Sequence, residues 1–176
     1  MVSLRDLRGP EDLNDISHAE ARALCNEIRG EIIDTVAATG GHLGSSLGVI
    51  EMTVALHRIL NSPTDRIVWD TGHQAYAHKL LTGRLDRFDT LRQLGGVGGF
   101  PRREESEHDV MDGGHAGTGI SIGEGLALGA VQGRGIGRRV DASRQKSLHL
   151  VLHQRDQGRN HHRGARQQQG GKLIAE

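Results

Sequence analysis

Three short segments of this 176-residue sequence place a histidine directly after a glycine. They are GGHLGSSLG around His42, DTGHQAY around His73 and GGHAGTGIS around His115. Histidine is the side chain whose proton moves near neutral pH, and glycine lets the backbone approach a ligand and point N–H groups at it. One such loop alone is more typical of a tight turn whose histidine hydrogen-bonds the backbone. Three of them favour a site for an anionic, phosphate-bearing ligand with acid and base chemistry beside it.

Other reactive residue types are interpreted as structural. His78 lies five residues after His73 within AYAHKLL, which predicts a packed or hydrogen-bonded helix histidine. A zinc site is not expected there, because the spacing is not HExxH-like and no cysteine is close. The acidic run EESEHD, residues 104–109, is interpreted as a solvated loop and not as a metal cluster, and Cys25 as a small buried thiol in a helix. We therefore assign no metal ligand.

The first element that positions these loops is an amphipathic helix. Ser17 followed by Glu20 is typical of a capping box at its start, and the paired glycines Gly40 and Gly41 predict its end just before His42. Apolar residues recur in between at helical spacing, namely Ala21, Leu24, Ile28, Ile32 and Val36. The first histidine loop should thus follow directly from a helix.

The later elements predict an α/β fold. Leu47, Ile50, Val54 and Ile59 indicate a second helix that ends before Pro63. Residues 66–69 read as a buried parallel strand, and its carboxyl end delivers the DTGHQ turn. A short helix is predicted at residues 88–94, and a helix rich in small residues up to about residue 130. We expect a parallel sheet flanked by helices, with its ligand at the carboxyl ends of the strands.

The character of the chain changes near Ala130. Residues 1–130 hold 12 basic and 19 acidic side chains, whereas residues 131–176 hold 10 basic and 3 acidic ones and no aromatic residue. In the second region only LHLVL, residues 148–152, has the pattern of a strand. We expect two regions, a folded one at 1–130 and a poorly ordered basic tail at 131–176.

The cysteine count and the apolar runs of the sequence bear on compartment and membrane association. A single cysteine excludes an internal disulfide and suits a reducing compartment, so cytoplasm is the expected location. No run of about 18 apolar residues predicts a membrane span, and the first residues do not resemble a signal peptide.

Longer strings around the three loops carry a specific resemblance. TGGHLGSSLGVIEMTVALH, IVWDTGHQAYAHKLLTGRLDRFDTLRQLGGVGGFPRREESEHD and GHAGTGIS closely resemble the amino-terminal region of the 1-deoxy-D-xylulose-5-phosphate synthase family. The likeness runs from about Leu4 to Ala130. The elements HKLLTGR, GGFPRR and ESEHD resemble this family and not its relative transketolase.

The resemblance implies the amino-terminal part of a thiamine-diphosphate-binding domain and a decarboxylating condensation of pyruvate with glyceraldehyde 3-phosphate. Its product feeds isoprenoid, thiamine and pyridoxal synthesis. The implied cofactors are thiamine diphosphate, which carries the difficult chemical step, and Mg²⁺, and the implied assembly is a homodimer.

The resemblance also implies roles for particular residues. His42 would face the reacting carbon and His73 would line the cofactor cleft, both as catalytic residues, with His73 also binding cofactor. Gly114, His115 and Ala116 would cradle the cofactor, partly through backbone groups. Ala116 stands where the family has a serine.

The sequence departs from the family after the third loop. The family continues into a Gly-Asp-Gly strand end and a later asparagine that hold Mg²⁺, but no Gly-Asp-Gly occurs in this chain. The change near Ala130 suggests a shifted reading frame or a truncated gene, so we expect a fragment that is inactive alone.

Two alternative functions remain: a non-catalytic scaffold whose basic tail binds nucleic acid, and an interaction module that exposes an apolar face. The lack of aromatic residues in the tail counts against nucleic acid.

Overall fold

The computed structural model describes residues 2–131 and 150–151, of which 131, 150 and 151 are described by their backbone alone. Most of the described chain is helical. The elements, in chain order, are α1 (His18–Thr39), α2 (Leu43–Leu47), α3 (Ile50–Ile59), β1 (Ile67–Val68), α4 (Tyr76–Lys79), α5 (Gly119–Val131) and β2 (Leu150–Val151). Short 3-10 turns lie at Leu4–Asp6, Pro10–Leu13, Gly72–Ala75 and Leu85–Thr90.

Helix α1 begins and ends where the sequence predicts. The Ser17 hydroxyl accepts a hydrogen bond from the backbone N–H of Glu20, and the Glu20 carboxylate accepts from the backbone N–H of Ser17. Two of the N–H groups that a helix start leaves without intrahelical partners are thereby satisfied. At the other end Gly40 adopts a φ of 77° and donates to the Val36 carbonyl. Cys25 is buried within this helix, as expected.

The predicted second helix is in fact two. The chain turns at Gly48 and Val49 between α2 and α3, so the residue pattern that suggested one helix spans a break. Ile59, which is out of phase with the pattern, is largely exposed at the end of α3. The short helix predicted at residues 88–94 is likewise a 3-10 turn displaced towards the amino terminus, Leu85–Thr90.

The predicted strand is present but short. β1 pairs in parallel with β2, with Ile67 opposite Leu150 and Val68 opposite Val151. β2 falls inside the LHLVL segment that the sequence singled out. Within the described residues the pairing does not extend beyond these two strands, so the fold is helix-rich and lacks the larger parallel sheet that the sequence predicted. The expected poorly ordered tail lies outside the described residues except for β2.

Two apolar clusters position the loops. The larger lies between α1, α3 and the segment from α4 to the Leu85–Thr90 turn, and the smaller packs against β1. Fully buried members of the larger cluster include Leu24, Ile28, Ile32, Ile50, Tyr76, Phe88 and Leu91. The smaller cluster contains Leu60, Ile67, Trp69 and Ala75. No helix in the described part of the chain combines the length and apolar character needed to cross a bilayer.

Candidate functional site

The first two histidine loops meet. The imidazole rings of His42 and His73 stack with their centroids 4.0 Å apart and their planes 10° from parallel. His42 is exposed at the residue before α2, and His73 is partly buried in the Gly72–Ala75 turn after β1. Two proton-carrying side chains that lie 31 positions apart in sequence thus share one surface.

A buried serine holds these two loops together. Ser46 lies one helical turn after His42 and has no exposed surface. Its Oγ lies 2.6 Å from the carbonyl oxygen of His42 and 3.1 Å from that of His73. A hydroxyl has one proton to donate, so the two carbonyls share it. We did not identify Ser46 from the sequence, although the i to i+4 spacing after His42 is typical of a serine that bonds back to a carbonyl.

The third loop reaches the site through backbone. A Cβ at position 72 would lie only 2.6 Å from the carbonyl oxygen of Gly113 and 3.0 Å from Cδ of Pro101. Gly72 therefore lets the DTGHQ turn pack directly on the third loop. A Cβ at Gly114 would lie 2.3 Å from the ring of Phe100, so a second glycine contact joins the third loop to the GGFPRR segment. The DTGHQ turn, the third loop and the GGFPRR segment thus come together at two glycines.

The imidazole of His115 does not join the other two. His115 and Ala116 are exposed, and within the described residues the His115 ring makes no hydrogen bond or ring contact. The backbone N–H groups of Gly114, His115 and Ala116 likewise donate to no acceptor in the described part of the chain. The loop therefore offers backbone donors to a ligand.

Asp70, at the end of the DTGHQ turn nearest β1, holds the start of α5. Its carboxylate accepts hydrogen bonds from the backbone N–H of Gly117, at 2.8 and 3.0 Å, and of Gly119, at 3.0 Å. A carboxylate is favourable at a helix start because of the unpaired N–H groups and the helix dipole. Asp70 thereby fixes α5 relative to β1.

An arginine that the sequence did not single out borders the first loop. Arg92 has a φ of 64°, which is uncommon for a residue other than glycine. Its Cδ would lie 3.5 Å from a Cβ at Gly41, and its Cγ 3.1 Å from one at Gly99. The side chain is exposed, so it adds a positive charge beside the His42 loop. No local sequence pattern marks it.

Behind the site lies a buried polar cluster centred on His78, which we define as His57, His78, Lys79, Arg84, Glu105 and Asp109. Nε2 of His57 lies 2.8 Å from Nδ1 of His78, and Nε2 of His78 lies 3.0 Å from Oδ1 of Asp109. An ionised carboxylate only accepts, so Nε2 of His78 carries the proton and its Nδ1 accepts from His57. The predicted packed, hydrogen-bonded role of His78 is confirmed.

The same cluster corrects the interpretation of EESEHD as a solvated loop. Asp109 is buried and accepts a hydrogen bond from Arg84 at 2.9 Å, and Glu105 accepts one from the fully buried Lys79 at 2.5 Å. Two charges of each sign therefore enter the interior as pairs, which is the condition under which buried charges are tolerated. The partners lie 25 and 26 residues apart, so the run of carboxylates gave no sign of them.

Burial sets the protonation of the buried polar cluster. It lowers the pKa of His57 from 6.5 to about 2, with a further contribution from His78. It also lowers the pKa of His78 to about 4, against the hydrogen bond and charge of Asp109, which raise it. Burial alone would raise the pKa of Asp109, but the hydrogen bond from His78 and the charge of Arg84 hold that pKa well below 3.8. The histidines are neutral and the carboxylate is ionised at neutral pH.

The sequence is similar to those of known proteins. A sequence profile described as 1-deoxy-D-xylulose-5-phosphate synthase matches residues 4–140. The chain is 63% identical over 127 residues, 72% of its length, to 1-deoxy-D-xylulose-5-phosphate synthase of Syntrophotalea carbinolica, of which this covers 20%. It is 55% identical over 129 residues, 73% of its length, to the synthase of Rhodobacter capsulatus, again covering 20% of that protein. It is 53% identical over 139 residues, 79% of its length, to that of Treponema pallidum, covering 22%.

The profile covers more than half of the chain, which is enough to assign the class of protein to which the sequence belongs. This chain belongs to the 1-deoxy-D-xylulose-5-phosphate synthase family and corresponds to the amino-terminal part of its members. It spans about one fifth of the length of the curated relatives it matches.

Proposed function

We propose that this chain supplies the amino-terminal, cofactor-facing part of a thiamine-diphosphate-dependent synthase. The reaction of the whole enzyme would condense pyruvate with glyceraldehyde 3-phosphate and release carbon dioxide, in the cytoplasm and in a homodimer. The observation that carries the proposal is the stacked pair His42 and His73 beside a loop with unused backbone donors. The synthase names of the matching relatives support the same reaction class.

The residues present fit the diphosphate end of such a cofactor. The N–H groups of Gly114, His115 and Ala116 have no acceptor among the described residues, and Arg92 is an exposed cation beside the first loop. Backbone N–H groups in a glycine-rich loop suit phosphate oxygens, and a guanidinium adds charge complementarity. Thiamine diphosphate, when bound, supplies a carbon that loses its proton and stores a substrate carbanion.

The chain's own contribution to catalysis is the placement and protonation of groups around that carbon. His42 is exposed and stacked on His73, so either imidazole can donate or accept a proton at a substrate oxygen. Ser46 fixes the carbonyls of both residues, which limits how far the two rings can separate. Pre-positioned proton carriers are effective because the entropy of orienting them has already been lost on folding, before the substrate binds.

Magnesium does not fit the described part of the chain. No group of three or more His, Cys, Asp or Glu side chains among the described residues could hold a metal ion. Oxygen ligands in larger number are what Mg²⁺ requires. We therefore propose that cofactor binding to this chain alone is independent of Mg²⁺ and that the chain alone has no synthase activity.

Calorimetric titration of the 176-residue chain with thiamine diphosphate, with and without Mg²⁺, tests the proposal. We expect binding that Mg²⁺ does not strengthen and that weakens in His73→Gln, while His18→Gln, an exposed histidine at the start of α1, leaves it unchanged. Absence of any binding would refute the cofactor-facing role. Binding strengthened by Mg²⁺ would refute the metal-independent half-site, and formation of product from the two substrates by this chain would refute its inactivity.

A further inference from the structure

One buried carboxylate bonds to two segments that adjoin the loops of the candidate site, α4 and GGFPRR. Oδ1 of Asp109 accepts from Nε2 of His78 at 3.0 Å and from Arg84 at 2.9 Å. Oδ2 accepts from the backbone N–H of Arg102 at 2.7 Å and lies 3.8 Å from Nζ of Lys79. The Asp109 side chain has no exposed surface, and these four groups are its polar contacts in the described chain.

Through Oδ1 the carboxylate reaches the DTGHQ turn. His78 belongs to α4, which directly continues the Gly72–Ala75 turn that carries His73. The ring of His78 also lies 5.3 Å from that of Trp69, the residue immediately before Asp70. His78 therefore touches the chain on both sides of the turn, and its hydrogen bond to Asp109 fixes the ring from behind.

Through Oδ2 the carboxylate reaches the GGFPRR segment and, beyond it, the third loop. The Arg102 N–H that it binds follows Pro101, whose carbonyl oxygen accepts from the N–H of Gly113 at 3.3 Å. Phe100, one residue earlier, packs on Gly114. The orientation of this segment therefore determines where the donors at residues 114–116 point.

We propose that Asp109 is a positioning residue that couples these two loops, so that the imidazole of His73 and the N–H groups of residues 114–116 face one ligand. Its importance for catalysis rests on the proposed function, but the coupling itself is a property of the folded chain. Asp109 touches no reacting group. It acts through His78 on one side and through the Arg102 backbone on the other.

The contacts at Oδ1 and Oδ2 of Asp109 require a carboxylate and not merely a polar side chain of the same size. Asparagine has one acceptor oxygen and one donor nitrogen. Whichever way its amide is turned, the nitrogen faces a donor that cannot act as an acceptor, either the guanidinium of Arg84 or the N–H of Arg102. A buried pair of facing donors is unfavourable. Asp109→Asn should therefore break the contacts on one side of the residue while it preserves the side-chain volume.

Asp12 provides a control. It too accepts a hydrogen bond from a backbone N–H, that of Arg8 at 2.8 Å, and its carboxylate lies 3.9 Å from Nε of the Arg8 side chain. It is partly buried and lies in the Pro10–Leu13 turn. Asp12→Asn therefore removes an equivalent charge and similar contacts in a segment that belongs to neither loop.

The experiment is solution NMR of the full 176-residue chain with isotope-labelled histidine. We expect wild type and Asp12→Asn to show cross-relaxation between the rings of His42 and His73 and the same amide signals for residues 114–116. We expect Asp109→Asn to lose it or to shift the amide signals of residues 114–116, while circular dichroism still shows helix. A folded Asp109→Asn with both signals as in wild type would overturn the proposal.

A second measurement covers the case in which Asp109→Asn fails to fold. The ring-nitrogen shifts of His78 in wild type should show a neutral imidazole with its proton on Nε2, because only that tautomer donates to Asp109. A proton on Nδ1 instead would overturn the proposal without any variant. Neither readout involves cofactor, so a failed thiamine diphosphate titration would count against the proposed function alone.

Discussion

Acid should destabilise this protein through its two buried histidines, at a higher pH than that at which Asp109 begins to protonate. His57 and His78 have no exposed surface and are neutral in the folded state. Their pKa values fall from 6.5 in the unfolded chain to about 2 and about 4 on folding. Below pH 6.5 the unfolded chain therefore binds protons that the folded chain does not, so the free energy of unfolding must fall with pH.

The size of the effect follows from these values. For each histidine, every pH unit below its unfolded-state pKa and above its folded-state pKa lowers the free energy of unfolding by about 1.4 kcal/mol. At about pH 5 both groups are still neutral when folded and charged when unfolded, which removes about 2 kcal/mol each and about 4 kcal/mol together. Small domains have only about 5–15 kcal/mol of stability in total. Asp109 does not offset this, because its lowered pKa removes stability only as pH falls below about 3.8.

Urea unfolding measured between about pH 8 and pH 5 tests this reasoning. Trp69 is the only tryptophan and is buried near His78, so its fluorescence reports on the same region. His57→Gln keeps an N–H donor towards His78 but does not titrate, and it should lose about 2 kcal/mol less than wild type over this range. His18→Gln should behave as wild type. Equal losses in wild type and His57→Gln would refute the reasoning.

Two further predictions concern the loops. Ser46→Ala should lower the free energy of unfolding by about 1–3 kcal/mol, because it leaves the two histidine carbonyls without their shared donor, and the loss should appear in urea unfolding at neutral pH. Gly114→Ala should cost about 1–3 kcal/mol, because its Cβ would lie 2.3 Å from the Phe100 ring. Gly125→Ala on α5, where a Cβ meets nothing within 4 Å, should instead stabilise by about 0.5–1 kcal/mol. A Gly114→Ala protein as stable as Gly125→Ala would contradict the packing of that loop.

Features that depend on neighbouring residues were predictable from the sequence. The Ser17 and Glu20 capping box and the helix end at Gly40 are local, and both occur where expected. The strand at Ile67–Val68 also follows from a short β-branched run between turn residues. The approach of His42 to His73 was expected from the resemblance to a family, and their stacked geometry could not have been derived from spacing.

Features that depend on distant partners were not predictable. Asp109 and Glu105 look like solvated carboxylates in a charge run, because Arg84 and Lys79 are recognisable as their partners only after the chain has folded. The predicted parallel sheet is limited to the β1–β2 pair in the described part of the chain, and the residues around β1 carry no sign of how many neighbours it has. Arg92 lies beside the first loop because its backbone adopts a positive φ, which no residue preference signals.

The contact between Asp70 and α5 restricts what else the start of that helix can do. Helix starts commonly receive phosphate groups, but here the N–H groups of Gly117 and Gly119 are already occupied by a carboxylate of the chain itself. A second anion at the same point would meet negative charge and find those two donors taken. At these two donors the start of α5 is thus occupied by the chain itself.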